Sequence, residues 1–534
     1  MDRLQYDGPV VLAILDGVGL MADHAGNAVS RARTPFLGQA TRNHLHVTLD
    51  ASGEAVGLTL GQMGNSEVGH NTIGSGQVIK HGLALIDEAF ETGEIFKTEA
   101  WEGAISRGLS DGTLHFAGIF SDGGVHSHLK HLEQMVVQAY KEGVRRMRVH
   151  AIFDGRDVSP TAEPRYIRRF EEFAKQFPDA DIRIASGGGR MVCVADRYES
   201  DWKIVERGFR MMVFGEADFY FRSAEEAIET LRRIDPKVQD QNLPPFIIVD
   251  EYDQPVGRVT RGDALVYFDF RADRAIEIAE AFTYYDFPHF SRRGYSPDDV
   301  YFVGMTEYNS DTHVPEHQLV PPVTISKPLN QFLGEREISQ FACSETVKFG
   351  HITYYFNGNS YEKATGEEFL EIASYTEPFE ERPWMRCAEI TDAVIREMPN
   401  YKFLRLNFPG GDMVGHTADF NATVLAIEAI DLSLARLAKK VDELGGVLII
   451  AADHGNAEEV LTPDGEKKTS HTTNRIPCII YDSTKNRELY ELAGSGAKFL
   501  KELGLSNLAA TIALLLGQND CPEEWAGPII RLKS

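Results

Sequence analysis

Short apolar runs alternate with longer segments of helical periodicity along most of the chain. The run 9–15 is continuously apolar, as in a strand buried on both faces, and it stops at Asp16. Residues 421–444 place apolar side chains at helical spacing, and the very apolar run 447–452 follows directly. Strands that alternate with helices of this length indicate mostly parallel sheets with helices on both faces. The predicted fold class is therefore α/β.

The same patterns extend through the middle and the end of the chain. Further strands are predicted at 114–120, 148–153, 182–185, 246–249, 264–268, 402–408 and 477–481. Further helices are predicted at 128–141, 164–177, 202–214 and 224–234. The proline-rich stretch 313–322 interrupts this rhythm and is predicted to be a linker between two α/β regions.

Length and charge restrict the possible functions. A chain of 534 residues can form two or three domains, each with its own core. Its formal net charge of −26 argues against nucleic acid or an anionic membrane as a partner. The five scattered cysteines have no metal-ligand or disulfide spacing, and no apolar run has the length of a signal peptide core or a membrane span. We therefore expect a cytoplasmic protein. Because its net charge is negative, an anionic substrate would need a binding site with local positive charge.

One glycine-rich stretch, 61–76, has the character of a nucleophile loop. Five glycines surround Ser66, which is preceded by an asparagine and followed by an acid. Glycine permits close backbone approach, so such a loop can present one hydroxyl beside free N–H groups. A turn-rich surface loop is the alternative interpretation. Asp16, at the end of the first predicted strand, lies where α/β folds place their chemistry, although it could also be a helix cap or a turn residue.

A set of acidic and imidazole side chains follows the predicted linker. Its members are Asp412, His416, Asp453, His454 and His471. Each lies near a predicted strand end or in a neighbouring loop, and residues 412 and 416 would share one face of a helix. Together with Asp16 they form a mixed oxygen and nitrogen set that suits Mn²⁺, Zn²⁺, Co²⁺ or Mg²⁺. Taken singly, each could instead be a helix cap, a buried structural histidine or a surface residue.

Arginines occupy the loops after the strands of the middle region. They are Arg156, Arg190, Arg197, Arg271 and Arg274. A guanidinium group matches phosphate or carboxylate in two-point contact, so the set is predicted to bind an anionic substrate. An ordinary surface arginine is the alternative for each one alone.

Together these motifs resemble those of the cofactor-independent phosphoglycerate mutase family, within the alkaline phosphatase superfamily. In chain order they are LDGVG (15–19), MGNSEVGH (63–70), SDGGVHSH (121–128), DGRD (154–157), GGR (188–190), DR (196–197), FRADR (270–274), SETVK (344–348), GDMVGH (411–416), ADHGN (452–456) and SHT (470–472). The segment between Arg190 and Arg197 resembles the longer sub-type of the family, because it has one residue more than the compact bacterial form.

The resemblance implies a discontinuous alkaline-phosphatase-like domain at 1–82 and 320–534, with a transferase or substrate-binding domain inserted at 83–319. It implies one divalent metal held by Asp412, His416 and His471, and another held by Asp16, Ser66, Asp453 and His454. Ser66 would be phosphorylated while 3-phosphoglycerate and 2-phosphoglycerate interconvert without bisphosphoglycerate, in glycolysis and gluconeogenesis. The implied substrate-binding residues are His126, Arg156, Asp157, Arg190, Arg197, Arg271, Arg274 and Lys348.

Several further expectations accompany this interpretation. Mn²⁺ is the preferred metal, with Mg²⁺, Co²⁺ or Zn²⁺ as alternatives, and phosphoglycerate is the small-molecule partner of a monomer. Asp157 or His126 would act as general acid and base, and domain closure would protect the phosphoserine from water. His128 and His131 are expected to be packing residues. The competing functions are a metal-dependent phosphomonoesterase or phosphopentomutase of the same superfamily, and a non-catalytic binding protein descended from such an enzyme.

Overall fold

The chain folds into two units, each built around its own seven-stranded sheet. A computed structural model describes all residues except 1–2, 196–200, 310–311, 322, 324, 326, 463 and 534. Unit 1 comprises Met1–His81 and Val323–Ser534, and unit 2 comprises Gly82–Pro322. The predicted α/β class with mostly parallel sheets is confirmed. None of the helices in the described part of the chain combines the length and hydropathy that a membrane span requires.

The regular elements of the described residues are as follows. The strands are β1 (Val10–Leu15), β2 (Leu45–Leu49), β3 (Leu114–Ile119), β4 (Arg146–Phe153), β5 (Asp181–Gly189), β6 (Phe219–Phe221), β7 (Phe246–Ile248), β8 (Ala264–Tyr267), β9 (Tyr301–Gly304), β10 (Gln340–Glu345), β11 (Glu367–Ile372), β12 (Phe403–Phe408), β13 (Val447–Ala452), β14 (Ile476–Tyr481), β15 (Tyr490–Leu492) and β16 (Ile530–Leu532). The α-helices are α1 (Ala28–Arg31), α2 (Pro35–Asn43), α3 (Ser66–Ser75), α4 (Gly82–Thr92), α5 (Glu99–Leu109), α6 (Leu129–Lys141), α7 (Glu163–Ala174), α8 (Trp202–Phe209), α9 (Ala224–Ile234), α10 (Ile276–Thr283), α11 (Leu329–Gly334), α12 (Thr346–Gly350), α13 (Cys387–Glu397), α14 (Gly410–Gly415), α15 (Phe420–Leu444), α16 (Ala497–Glu502) and α17 (Asn507–Leu515).

The sheet of unit 1 brings three predicted metal-ligand segments to one edge. Its strand order is β11-β10-β12-β1-β13-β14-β2, with β1 parallel to both β12 and β13. Leu15, the last residue of β1, is in register with Phe408 and Ala452, the last residues of those two neighbours. Because carboxyl ends of parallel strands meet at one edge, the residues that follow all three strands become neighbours.

The sheet of unit 2 has the order β6-β7-β5-β4-β3-β8-β9 and is parallel except between β5 and β7. Strand β5 continues through Gly187, Gly188 and Gly189, beyond the predicted end at residue 185. A side chain at Gly188 or Gly189 would collide with neighbouring groups, since a Cβ at Gly189 would lie 2.3 Å from the Gln241 carbonyl oxygen. The glycines therefore allow close packing, and the extended strand leads directly into Arg190.

The predicted nucleophile loop at 61–76 is in fact mostly helical. Helix α3 begins at Ser66, and the side chain of Asn65 caps it by accepting a hydrogen bond from the Val68 amide. Two glycines lie inside the helix because other backbone segments approach it closely. A Cβ at Gly69 would lie 2.7 Å from the Asp453 carbonyl oxygen, and a Cβ at Gly74 would lie 1.8 Å from that of Phe356. The loop interpretation is wrong for these residues, and Ser66 opens a packed helix.

The stretch predicted as a linker, 313–322, is largely part of unit 2. Leu319 and Val320 are buried, and their amides donate to the carbonyls of Gly304 and Met305 at 3.0 and 2.9 Å. The segment thus extends the sheet beside edge strand β9, where prolines are tolerated because one side of the backbone needs no partner. The unit boundary falls at its end, between Pro322 and Val323.

A buried polar chain crosses the sheet of unit 2 at His115 and His150. His115 Nδ1 lies 3.0 Å from His150 Nε2, and His150 Nδ1 lies 2.8 Å from Ser186 Oγ. On its other side, His115 Nε2 lies 3.3 Å from Asp263 Oδ2. Burial lowers the pKa of both histidines, so both are neutral in the folded protein.

Acidification is expected to destabilise the protein through these two histidines. Below the unfolded-state pKa of about 6.5 the unfolded chain binds protons that the folded chain excludes. The free energy of unfolding therefore falls as the pH is lowered, with a slope that approaches about 1.4 kcal/mol per pH unit for each histidine. Thermal unfolding followed by circular dichroism between pH 7.5 and 5.5 measures this slope. In the H150N variant the pH dependence of stability should decrease by the contribution of one histidine. In the H46N variant, which changes an exposed position, it should stay the same. An unchanged slope in H150N would contradict the assignment.

Candidate active site

Ser66 lies at the first position of α3 and is 4% exposed. Its Oγ lies 2.5 Å from Lys348 Nζ, 2.9 Å from His454 Nε2 and 3.1 Å from Asp16 Oδ1. The hydroxyl therefore contacts a cationic amine, an imidazole and a carboxylate that come from distant parts of the sequence. Among these groups the ammonium favours the ionised oxygen that a serine nucleophile requires.

Asp16 and Asp453 are each held by one oxygen and direct the other towards this cluster. Asp16 Oδ2 accepts a hydrogen bond from Asn407 Nδ2 at 2.7 Å, which leaves Oδ1 beside Ser66. Asp453 Oδ1 accepts from the amides of Gly17 and His454 at 3.2 and 3.0 Å. Its Oδ2 is buried and accepts no hydrogen bond from any residue that the structure describes, although His70 Nδ1 lies 3.2 Å from it. A buried carboxylate oxygen that makes no hydrogen bond fits a metal ligand.

Asp412, His416 and His471 form a second part of the cluster. Helix α14 and its C-cap place Asp412 and His416 on one face, as their spacing predicts. The Nε2 atoms of His416 and His471 each lie 3.1 Å from Asp412 Oδ1 and 3.0 Å from each other. Each ring approaches a backbone carbonyl through Nδ1, at Thr469 for His416 and at Gly64 for His471.

These contacts fix the tautomers of both rings. A carbonyl oxygen only accepts, so Nδ1 carries the proton and Nε2 of a neutral ring presents a lone pair. Two lone pairs and a carboxylate oxygen then face one another, which is unfavourable without a cation between them. In the absence of a metal, a proton is the substitute, and the hydrogen bond that His416 donates to the Asp412 carboxylate raises the pKa of His416. The donor set thus fits a divalent metal ion.

His454 links the two parts of the cluster. Its Nε2 lies 3.4 Å from Asp16 Oδ1, 3.6 Å from Asp453 Oδ2 and 3.8 Å from Asp412 Oδ1. Burial lowers the pKa of His454, but the three carboxylates outweigh it and raise the pKa to about 10 when no metal is bound. Ligand atoms of Asp16, Asp453 and His454 lie within 4.8 Å of one another, and so do those of Asp412, His454 and His471. The predicted ligand residues of both metals are therefore gathered in one place.

Lys348, predicted from the resemblance to bind substrate, lies inside this cluster in unit 1. Its Nζ is 2.7 Å from Asp412 Oδ2 and 3.1 Å from Asp16 Oδ1, besides its contact with Ser66. Burial lowers the pKa of the lysine, but the carboxylates of Asp16, Asp412 and Asp453 together raise it above its ordinary value. The ammonium group is a permanent cation beside the serine oxygen, so it can stabilise negative charge there but cannot take up a proton.

Three supporting residues were not predicted from the sequence. His70 Nδ1 lies 2.9 Å from the Ser66 carbonyl oxygen, and its Nε2 accepts from Asn407 Nδ2 at 3.0 Å. Asn456 Nδ2 donates to Asp412 Oδ1 at 3.2 Å. A signal existed for each of them. His70 and Asn456 lie in the same motifs as Ser66 and as Asp453 and His454, and Asn407 is a polar residue in the apolar strand β12.

Unit 2 contains a separate charged cluster around Arg190. The buried Arg190 Nη1 donates to Asp154 Oδ1 at 2.7 Å and to Asp157 Oδ2 at 2.5 Å. His126 Nε2 lies 3.8 Å from Asp157 Oδ2, and its Nδ1 lies 3.7 Å from Asp273 Oδ1. Asp154 and Asp273, which are not among the predicted site residues, thus contact predicted ones: Asp154 contacts Arg190, and Asp273 contacts His126.

The other predicted arginines differ in exposure. Arg156 is exposed, and Arg271 is half exposed with its Nε 3.2 Å from Asp273 Oδ1. Arg274 is buried and donates to the Ala195 carbonyl at 2.7 Å. Arg197 lies outside the described residues. The exposed guanidinium groups of Arg156 and Arg271 can reach a ligand, whereas Arg190 already binds two carboxylates of its own unit.

Two further histidines, which are expected to be packing residues, make structural contacts within unit 2. His131 Nε2 lies 2.7 Å from Asp87 Oδ1, and its ring stacks on Phe90 with centroids 4.6 Å apart. The side chain of His128 caps α6 by accepting a hydrogen bond from the Lys130 amide.

A fold of parallel strands with a clustered Asp and His donor set is characteristic of a class of metal-dependent enzymes. The model of the Metalloenzyme superfamily matches residues 8–520, which is nearly the whole chain. The chain is 41% identical to a probable 2,3-bisphosphoglycerate-independent phosphoglycerate mutase of Leptospira interrogans, with 98% of each chain covered. It is 39% identical to the 2,3-bisphosphoglycerate-independent phosphoglycerate mutase of Trypanosoma brucei brucei, covering 98% of this chain and 97% of that one.

A solved structure gives the same result. A crystal structure of Leishmania mexicana phosphoglycerate mutase at low cobalt concentration is similar with a TM-score of 0.71 and 40% identity, covering 100% of this chain and 99% of that one. The protein therefore belongs to the 2,3-bisphosphoglycerate-independent phosphoglycerate mutase family of the metalloenzyme superfamily.

Proposed function

We propose that this protein interconverts 3-phosphoglycerate and 2-phosphoglycerate without bisphosphoglycerate, through a phosphoserine at Ser66. The observation that carries the proposal is the position of the Ser66 hydroxyl, 2.5 Å from Lys348 Nζ and 2.9 Å from His454 Nε2 in a buried cluster. Curated relatives with this activity in their names cover almost the full chain. Family membership and the nucleophile geometry therefore support the same reaction.

Two divalent metal ions, preferably Mn²⁺, complete the proposed site. Asp412, His416 and His471 would hold one, and Asp16, Ser66, Asp453 and His454 the other. The fit rests on the opposed lone pairs of His416 and His471 and on the buried Asp453 Oδ2. When bound, the ions lower the pKa of the serine hydroxyl and share the charge of the transferring phosphoryl group.

The chain's own residues carry out the two transfers. Ser66 Oγ, in its ionised form, takes the phosphoryl group from the 3-oxygen of the glycerate. The bond between phosphorus and that oxygen breaks, and the oxygen takes up a proton to become the 3-hydroxyl. The Lys348 ammonium, in contact with Ser66 Oγ, stabilises the negative charge on the transferring oxygens by hydrogen bonding. The retained glycerate then reorients, and its 2-hydroxyl takes the phosphoryl group back from Ser66. This order needs no phosphorylated cofactor, because the serine stores the group between the two steps.

Unit 2 is proposed to be the substrate-binding domain. The guanidinium groups of Arg156 and Arg271 would bind the glycerate carboxylate, with Arg197 and Arg274 adding positive charge. Arg190 would orient Asp157, to which it donates at 2.5 Å. We assign proton exchange with the glycerate hydroxyls to Asp157 and His126, which lie 3.8 Å apart. A monomer in the cytoplasm, acting in glycolysis and gluconeogenesis, completes the proposal.

The direct test is isomerisation of 3-phosphoglycerate by the Mn²⁺-reconstituted protein, without added bisphosphoglycerate, followed by phosphorus NMR. We expect 2-phosphoglycerate to accumulate to equilibrium with no release of inorganic phosphate. Release of phosphate in place of isomerisation would indicate a phosphomonoesterase. The absence of any turnover would favour a non-catalytic metabolite-binding protein.

A further inference from the structure

Glu458 is a buried carboxylate that connects the loops carrying the predicted metal ligands. It lies in a short 3₁₀ turn, Ala457–Glu459, and its side chain is inaccessible to solvent. Its Oε2 accepts hydrogen bonds from the amides of Gly19 and Asn456 at 2.9 and 2.8 Å. Its Oε1 accepts from Thr472 Oγ1 and, at 3.0 Å, from Asn474 Nδ2.

These four donors come from three separate loops. Gly19 follows Asp16 at the end of β1, and Asn456 follows Asp453 and His454 at the end of β13. Thr472 comes directly after His471. The Glu458 carboxylate thus contacts three of the segments that bear predicted ligands. The two segments outside this set of hydrogen bonds are the one with Asp412 and His416 and the helix with Ser66. Four hydrogen bonds to one carboxylate offset the cost of burying it.

The local backbone is shaped around this carboxylate. A Cβ at Gly19 would lie 2.2 Å from Glu458 Oε1, and a Cβ at Gly455 would lie 2.4 Å from the same atom. Any side chain at either position would push the carboxylate away. The glycines of two ligand loops therefore leave room for Glu458, which indicates a specific contact.

We propose that Glu458 is a positioning residue for the metal centre: its carboxylate fixes the loops of Asp16, Asp453–His454 and His471 relative to one another. This inference rests on the proposed metal-dependent function. Two backbone bonds, from Ala457 to Gly17 and from Thr472 to Gly455, also join these loops. Glu458 supplies the side-chain contact that all three have in common. Hydrogen-bonding partners behind metal ligands commonly contribute 10- to 100-fold to metal affinity.

The E458Q variant tests this role with little change of shape. Glutamine keeps the volume of the side chain but replaces one acceptor oxygen by an NH₂ group, which would face donors in place of accepting from them. We expect the Kd for Mn²⁺, measured by titration calorimetry and by the signal of free Mn²⁺ in electron paramagnetic resonance, to rise about 10- to 100-fold. Saturating Mn²⁺ should restore most of kcat, which a merely structural defect would not allow.

Two further variants make the experiment decisive. E459Q removes the same charge from the adjacent residue, whose carboxylate pairs with Lys468 and not with the donors of Glu458, and it should bind Mn²⁺ like the wild type. T472V removes one donor to Glu458 Oε1 and should weaken Mn²⁺ binding in the same direction as E458Q, by a smaller factor. It serves as the test if E458Q fails to fold by circular dichroism.

The outcomes separate this inference from the proposed function. If E458Q binds Mn²⁺ with normal affinity, the proposed role of Glu458 is wrong, but the proposed metal centre is not contradicted. The same holds for T472V if E458Q is unfolded. An equal loss in E459Q would overturn the role of Glu458 as well. If the wild-type protein binds no Mn²⁺, the proposed metal-dependent function fails and this inference fails with it.

Discussion

Replacement of Ser66 by alanine is expected to lower mutase turnover by at least about a thousandfold, since the group that stores the phosphoryl moiety is lost. The Ser66 hydroxyl is one of four groups in close contact, with Lys348, His454 and Asp16 around it. Alanine leaves the carboxylates and imidazoles in place, so Mn²⁺ content should remain near that of the wild type. Coupled assay of 2-phosphoglycerate and metal analysis of the same sample measure both quantities.

Ser75 provides a matched control on the same helix. Its buried hydroxyl contacts local backbone groups, namely the carbonyls of Thr72 and Gln77 and the amide of Gln77, so the S75A variant should retain turnover. Rapid acid quenching of the wild type with 3-phosphoglycerate should trap a phosphorylated peptide that contains Ser66, and S66A should trap none. Substantial turnover by S66A would refute a phosphoserine route even if the metal centre were intact.

The hydrophobic pattern of the sequence predicts the parts of the site that follow buried strands. The run 447–452 matches β13 residue for residue, and β1 ends at Leu15, one residue before Asp16. An apolar run stops where the chain leaves the core, and in a parallel sheet that exit lies at the edge where ligands bind. The positions of Asp16, Asp453 and His454 can therefore be predicted, each from the apolar run that precedes it.

Features that depend on contacts between distant segments cannot be predicted from the local sequence. The glycines of α3 suggest a loop, because the reason for them lies in the backbones of Asp453 and Phe356. Nothing in the local sequence distinguishes Glu458 from Glu459, although one is buried among three loops and the other pairs with Lys468 near the surface. The sequence alone predicts that Arg190 binds an anionic substrate, whereas in the structure its guanidinium group pairs with Asp154 and Asp157.

Removal of metal by a chelator is expected to abolish turnover, and added Mn²⁺ should restore it. Without a metal ion the carboxylates of Asp16, Asp412 and Asp453 face protonated side chains instead, among them Lys348 and His454, whose pKa values these carboxylates raise. Ser66 then lacks the charge that lowers its pKa, so kcat should fall by at least about a thousandfold. Mn²⁺ at about a hundredfold excess over its Kd should also add about 2.7 kcal/mol to the free energy of unfolding for each ion bound.

The D453N variant separates metal binding from general loss of structure. Asparagine can still accept from the amides of Gly17 and His454 through Oδ1, but its NH₂ group replaces the buried Oδ2 that accepts no hydrogen bond. Turnover should therefore stay low at any Mn²⁺ concentration, and the Mn²⁺-dependent rise in Tm should shrink. D442N, in the exposed contact between Asp442 and Tyr481, should respond to chelation and Mn²⁺ like the wild type. Full turnover by the chelated wild-type protein would contradict a metal-dependent nucleophile, because Lys348 alone would then suffice to activate Ser66.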